Sequence, residues 1–251
     1  MMKKIRYIFF ISCFLLTACS EDNDRFLETV DVTFRFTQNW KGIPITASDF
    51  NEFKFTNQNG DLIGIERLRY LVSNITIGSV VKDYQLIDVG EGTGLEFFVD
   101  GVTKGLKTLN FTFGFTNEDN LEGSYQDLNS VSFNVPELLG GGYHFMQFDG
   151  KYKDHNNQDA NFNYHVIRAA DNTDPTNVIL EDTSFEVDLG ELELNSSTVI
   201  EIKMDVSEWF KNPNTWSLQE FNTRLMPNFG AQKLMEANGQ SVFSLGEIKF
   251  N

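Results

Sequence analysis

Apolar and polar residues alternate strictly from Glu28 to Thr37. Val30, Val32, Phe34 and Phe36 fall on one side, and Asp31, Thr33, Arg35 and Thr37 on the other. A period of two marks a strand with one face in a core and one in water. Leu106 to Thr116 repeats the pattern through Leu109, Phe111, Phe113 and Phe115. Shorter runs predict strands at Phe53–Phe55, Tyr84–Val89, Leu95–Val99, Phe185–Leu189, Val199–Met204 and Val242–Phe250. Ile65 to Ile77 is mixed: Leu68, Leu71 and Val72 fit a helix face, whereas Leu68, Tyr70 and Val72 alternate. The β-branched residues toward Ile77 favour a strand. Asn39–Asp49 reads as a loop and Asn57–Gly60 as a turn. Asn117–Glu137 is mostly polar, a weak helix or loop cover placed to lid the segment after it. Near the end the period changes: Val206–Phe210 reads as a helical turn, and Asn228–Asn238 as a short helix stopped by Gly239 in a left-handed conformation. Many short strands with turns between them predict an all-β fold, an antiparallel β-sandwich with a small C-terminal helical appendage. It is expected as a single domain over residues 29–251.

One stretch concentrates the chemistry. Gly140 to Arg168 holds all three histidines, His144, His155 and His165, together with Met146. Tyr143–Lys151 and Phe162–Ile167 read as the two strands of a hairpin, with Asp154–Asn161 between them. Side chains two apart share a face, which puts His144 and Met146 together and sends Phe145 and Gln147 the other way. A turn centred on Asp154 and His155 brings His165 opposite His144, with Cβ atoms about 5 Å apart. Two imidazoles and a thioether are a soft ligand set suited to Cu(I). Such capture is expected to weaken as pH falls through the histidine range. A one-residue slip sends His165 to the other face. The same residues also fit a plain core hairpin with two satisfied histidines and a packing methionine.

Composition narrows the setting. The net charge of −16 repels nucleic acid, which is excluded as a partner. Aromatic residues make up 14% of the chain, enough for a sizeable core. Residues 1–18 read as a lipoprotein signal peptide: Lys3, Lys4 and Arg6 precede a short apolar run, too short to span a membrane as a mature helix. Leu16-Thr17-Ala18-Cys19 resembles a lipobox, with Cys19 as the lipidation site. Residues 19–28 then form an acidic tether through Glu21, Asp22 and Asp24. An acidic run behind a lipidated cysteine resembles the surface-export signal of Bacteroidetes-type lipoproteins. The expected location is therefore the outer membrane, with a lipid anchor and the cell surface favoured over the periplasmic face.

No constellation for catalysis stands out, and the chain is expected not to be an enzyme. The rival to metal binding is a glycan- or partner-binding sandwich that uses Trp40, Trp209 and Trp216 as exposed stacking faces.

The spaced segments GGYHFMQFDGKY, FNYHVIR and SEWFKNPNTW with AQKLMEANGQSVFSLGEI resemble the MbnP-like family of bacterial copper-associated, secreted β proteins. GIERLRYLVSNITI followed by DYQLIDV resembles the first half of the same family. The resemblance covers roughly Val30 to Ile248. It implies copper as the bound metal and a di-haem peroxidase-like partner that oxidises a tryptophan in founding members. His165 falls in the slot of the family's aromatic-His motif. Tyr143 and an Asp149-Gly150 turn correspond as structure, and His144 matches some members. The chain departs from the pattern just before Gly140, where Val135-Pro136-Glu137-Leu138-Leu139 stands in place of a tryptophan.

Overall fold

A computed structural model describes residues 27–174 and 176–251. The expected signal peptide, Cys19 and most of the tether lie outside these residues. Among the described residues fourteen strands occur in chain order: β1 (Thr29–Trp40), β2 (Ile43–Pro44), β3 (Phe53–Thr56), β4 (Leu62–Ile77), β5 (Val80–Asp88), β6 (Glu96–Thr103), β7 (Gly105–Phe113), β8 (Met146–Lys153), β9 (Asp159–Val166), β10 (Ala169–Asp171), β11 (Ile179–Glu181), β12 (Phe185–Leu194), β13 (Thr198–Asp205) and β14 (Phe243–Phe250). Helix α1 (Gln126–Ser130) lies in the polar segment, and α2 (Phe229–Gly239) precedes the last strand.

Two main sheets form the sandwich. One runs β14-β13-β1-β2, with β6 pairing β1 on the same edge as β2. The other runs β12-β7-β4-β8-β9, with β3 and β5 also on β4. Pairing is antiparallel except between β1 and β13, which are parallel. Parallel neighbours need a long crossover, and here the whole second sheet lies between those two strands in sequence. Phe243 of β14 meets Phe111 and Phe113 of β7 at ring centroids 5.1 and 5.8 Å apart, joining the sheets across the core. Strand β4 is the centre. It is long enough to pair with four strands, and it is buried on both faces over most of its length. That double burial explains its mixed sequence signal, because nothing selects polar residues for a wet face.

Several local readings change. Gly239 ends α2 inside the helix, and the next residue is right-handed. It is glycine because a Cβ there would lie 2.5 Å from the Phe185 ring and 3.0 Å from Trp209. Asp149-Gly150 is not a turn but the middle of β8. The hairpin turn is a five-residue loop. Asp154 Oδ1 accepts the backbone N–H groups of Asn156 and Gln158, both at 2.8 Å, which centres the loop on Asn156. The register moves accordingly, and His165 pairs with Gln147 instead of His144. The β10–β11 hairpin was not legible, since three-residue strands carry too little pattern.

All three tryptophans are buried. Trp40 Nε1 donates to Thr56 O, Trp216 Nε1 donates to Phe221 O, and Trp209 packs on Phe113. The groove of exposed stacking faces that the glycan reading required is absent among the described residues. Each indole was needed to fill the core.

Candidate metal centre

The outward face of the β4-β8-β9 sheet carries two polar rows. Arg69, Gln147 and His165 align across the three strands, and Arg67, Asp149 and Asn163 form the next row. The intervening residues Leu68, Tyr70, Phe148 and Tyr164 turn into the sandwich core. Two-residue periodicity produces this division directly. The face is outward, but it is wet only at its rim, at Arg67 and Asn163. Arg69, Gln147, Asp149 and His144 are all buried. The cover comes from the segment before β8, where Ser132 O accepts from Gln147 Nε2 at 3.3 Å and Phe133 sits against His144. The lid expected from the polar run is present.

His144 reaches this face by leaving the ladder. Gly140, Gly141 and Gly142 have φ of 104°, 62° and 74°, a run of left-handed backbone that only glycine adopts freely. After them, His144 N donates to Phe133 O at 2.9 Å, and the chain bends at Phe145. The bend breaks the alternation. Phe145 turns inward against Phe113 while His144 meets His165, with ring centroids 5.2 Å apart and planes at 84°. Met146 lies on the opposite side of β8 from Gln147, fully buried with the core. The structure thus brings His144 and His165 together and leaves Met146 out. His155 stands exposed at the hairpin tip.

Hydrogen bonds assign the tautomers. His144 Nδ1 lies 3.0 Å from Phe133 O, which only accepts, so Nδ1 carries the proton. Gln147 Nε2 is 3.3 Å from the same nitrogen. Its amide is already oriented, because Oε1 accepts from Arg69 Nε at 2.6 Å, so this approach is not a hydrogen bond. His144 Nε2 is left with a lone pair, buried and without a partner. His165 Nε2 donates to Asp149 Oδ1 at 2.7 Å, and its Nδ1 is likewise buried and unpartnered. Asp149 also accepts from Asn163 Nδ2 at 2.5 Å and from Arg67 Nε at 2.6 Å. Burial opposes its charge, but the His165 bond and these partners outweigh it and hold the carboxyl well below the usual range. On the far edge, Gln232 of α2 donates to His165 O at 2.9 Å and accepts Ile167 N–H at 2.9 Å, fixing the backbone of β9.

Burial, and next the nearby His165, push the His144 imidazole down to about 3. The unfolded chain takes up this proton near pH 6.5, so the stability His144 contributes is complete above that value and is lost as pH falls toward 3. Metal-free protein is expected to lose on the order of 1 kcal/mol per pH unit just below pH 6. In the His144→Gln variant that slope is expected to disappear. Urea unfolding midpoints across the range measure it, and equal slopes would mean that His144 is protonated within the fold.

Arg67, Arg69, Asn163 and Phe133 were not singled out by the sequence reading, which named Gln147 only for its face and Asp149 only in a turn. Their signal was the unused face of two strand patterns: Arg67 and Arg69 between apolar residues of β4, and Gln147 and Asp149 between those of β8. No group of three or more His, Cys, Asp or Glu side chains is arranged to hold a metal among the described residues. Any ion here depends on the two imidazoles. A family model described as MbnP matches residues 29–227. The chain belongs to the MbnP family. Among solved structures, MbnP from Methylosinus trichosporium is similar at 12% identity, covering 75% of this chain and 80% of that one with a TM-score of 0.48. No curated protein matches.

Proposed function

We propose that this MbnP-family chain captures copper as Cu(I) on His144 Nε2 and His165 Nδ1, without catalysing a reaction itself. The observation that carries the reading is the pair of buried, unpartnered imidazole nitrogens on adjoining rings. A buried nitrogen lone pair without a donor is unusual unless something fills it. Each ring also gives its other N–H to a fixed acceptor, Phe133 O or the Asp149 carboxylate, as ligating histidines do. Cu(I) accepts two nitrogen donors, whereas zinc in proteins asks for a tetrahedral set. The ring packed against His144 is Phe133, not a tryptophan. The copper reading therefore rests on the histidines alone and calls on no haem partner. A lipid on Cys19 would hold the site at the outer membrane surface.

Anaerobic Cu(I) titration of the chain from Ser20 against a competing chelator tests this. One-to-one binding is expected, and a His144→Ala/His165→Ala variant is expected to lose it. Met146→Leu is expected to bind as tightly as the parent, because the thioether faces the core. Binding retained in the double variant would reject the histidine pair as the copper site, and none in the parent would leave a partner-binding module without metal.

A further inference from the structure

A stack of three tyrosines runs from beside His144 to the surface. Tyr143 is joined to His144 by one peptide, so their Cα atoms stand about 3.8 Å apart. The Tyr143 ring meets Tyr125 edge-on at a centroid distance of 5.3 Å, and Tyr125 meets Tyr84 at 4.8 Å. Phe115 packs against all three, so the cluster needs rings but not hydroxyls. Each tyrosine nevertheless has its hydroxyl on a fixed acceptor. Tyr143 donates to Asn129 Oδ1 at 2.9 Å, Tyr125 to Asp119 O at 3.0 Å and Tyr84 to Asp127 Oδ1 at 2.7 Å. The first two acceptors are amide oxygens, and those bonds hold the segment around α1. The third is a carboxylate, able to take the proton. Tyr143 is buried, while Tyr125 and Tyr84 are half-buried. The stack ends beside a surface depression of about 550 Å³ lined by Lys82, Asp83, Tyr84 and Asp127. Tyr70, Tyr152, Tyr164 and all three tryptophans are buried. Among the described residues, an oxidant in solution therefore reaches a tyrosine or tryptophan only at this end.

Burial first, and the Asp127 bond next, push the Tyr84 phenol up, so it is protonated at neutral pH. A phenol that loses an electron becomes strongly acidic, and a base already in hydrogen-bond reach can take its proton. We infer that Tyr84, backed by Tyr125 and Tyr143, is a one-electron outlet for the buried histidine site. This inference rests on the copper reading of His144 and His165. A high-potential, outer-sphere one-electron oxidant at the surface takes an electron from Tyr84, and the hydroxyl proton passes to Asp127. Tyr84 is then refilled by one electron drawn through Tyr125 and Tyr143 from Cu(I) on the histidines, and Asp127 returns the proton. The sum is one Cu(I) oxidised to Cu(II) and one oxidant reduced, with no net proton transfer. The lid over His144 stays closed throughout.

The probe is photogenerated ruthenium(III) tris-bipyridine, a cation too bulky to pass the lid and drawn to an acidic chain. In the metal-free chain from Ser20 it is expected to produce a neutral tyrosyl radical by electron paramagnetic resonance. That signal is expected to be lost in Tyr84→Phe and lowered in Asp127→Asn, both of which keep the ring packing. A radical undiminished in Tyr84→Phe overturns the outlet. Loading with Cu(I) is expected to shorten the radical's lifetime in transient absorption and to replace its signal by that of Cu(II), an observation that needs no variant. Tyr125→Leu opens a gap in the stack and is expected to restore the longer lifetime, with near-UV circular dichroism reporting that the fold is kept. An unchanged lifetime in protein that chelator competition shows to hold copper overturns the path while leaving copper on the histidines. Absence of bound copper overturns the copper reading and the path with it.

Discussion

Asp149→Ala is expected to cost about 1–3 kcal/mol of stability and to weaken copper binding about 10–100-fold. The carboxylate accepts from Arg67, Asn163 and His165 at once, and all three donors lose their acceptor when it is removed. The stability loss comes mainly from the largely buried His165 ring N–H left without a partner, since the exposed Arg67 guanidinium can turn to water. The affinity loss has a separate origin. Asp149 pins the His165 proton on Nε2, which keeps Nδ1 free. Without it the proton can move to Nδ1 and block the ligand. Asp149→Asn keeps an oxygen acceptor and loses the charge, so it is expected to fall between the two. Urea unfolding and the chelator titration separate the effects. A destabilised variant with undiminished copper affinity would show that Asp149 does not set the tautomer.

Gly150→Ala is expected to cost about 3 kcal/mol or more, the upper range for an overpacked core. A Cβ at Gly150 would lie 2.1 Å from Gly64 O on β4 and 2.8 Å from the Phe162 ring of β9. The first obstacle is backbone, which no rotamer change can clear, so β4 and β8 must part. Gln147 and Asp149 ride on the displaced strand, and the site is expected to loosen with it. Gly92→Ala supplies the comparison. Gly92 has φ 66° and nothing within 4 Å of a Cβ, so it is expected to cost only about 1–2 kcal/mol for left-handed backbone. Similar thermal shifts for both would mean that the sheet absorbs the added methyl at Gly150.

The strict alternations were the most legible part of the chain. Val30 to Phe36 and Leu109 to Phe113 each sort one face into the core, so β1 and β7 are set by composition and period alone. Boundaries were less legible: β1 runs on to Trp40 and β12 to Leu194, because a ladder continues wherever a neighbour supplies hydrogen bonds. Sequence cannot see that neighbour. The parallel β1–β13 pair was illegible for the same reason.

The histidine pair shows the division most sharply. The sequence determined that two imidazoles and a methionine stand near a hairpin, that three glycines precede them, and that Asp149 and Gln147 share a face. It did not determine which of them meet. Asp154 caps a five-residue loop, which shifts the register by three residues and by itself would part His165 from His144. The bend at Phe145 reverses the alternation on the other strand and returns His144 to the same face. The two departures cancel for the histidines, and Met146, inside the regular ladder, is carried into the core. Register and bends depend on contacts made across the fold: Phe133 O drawing His144 out, and Phe113 drawing Phe145 in. A period of two tells which residues share a face along one strand, and only tertiary packing decides which faces meet.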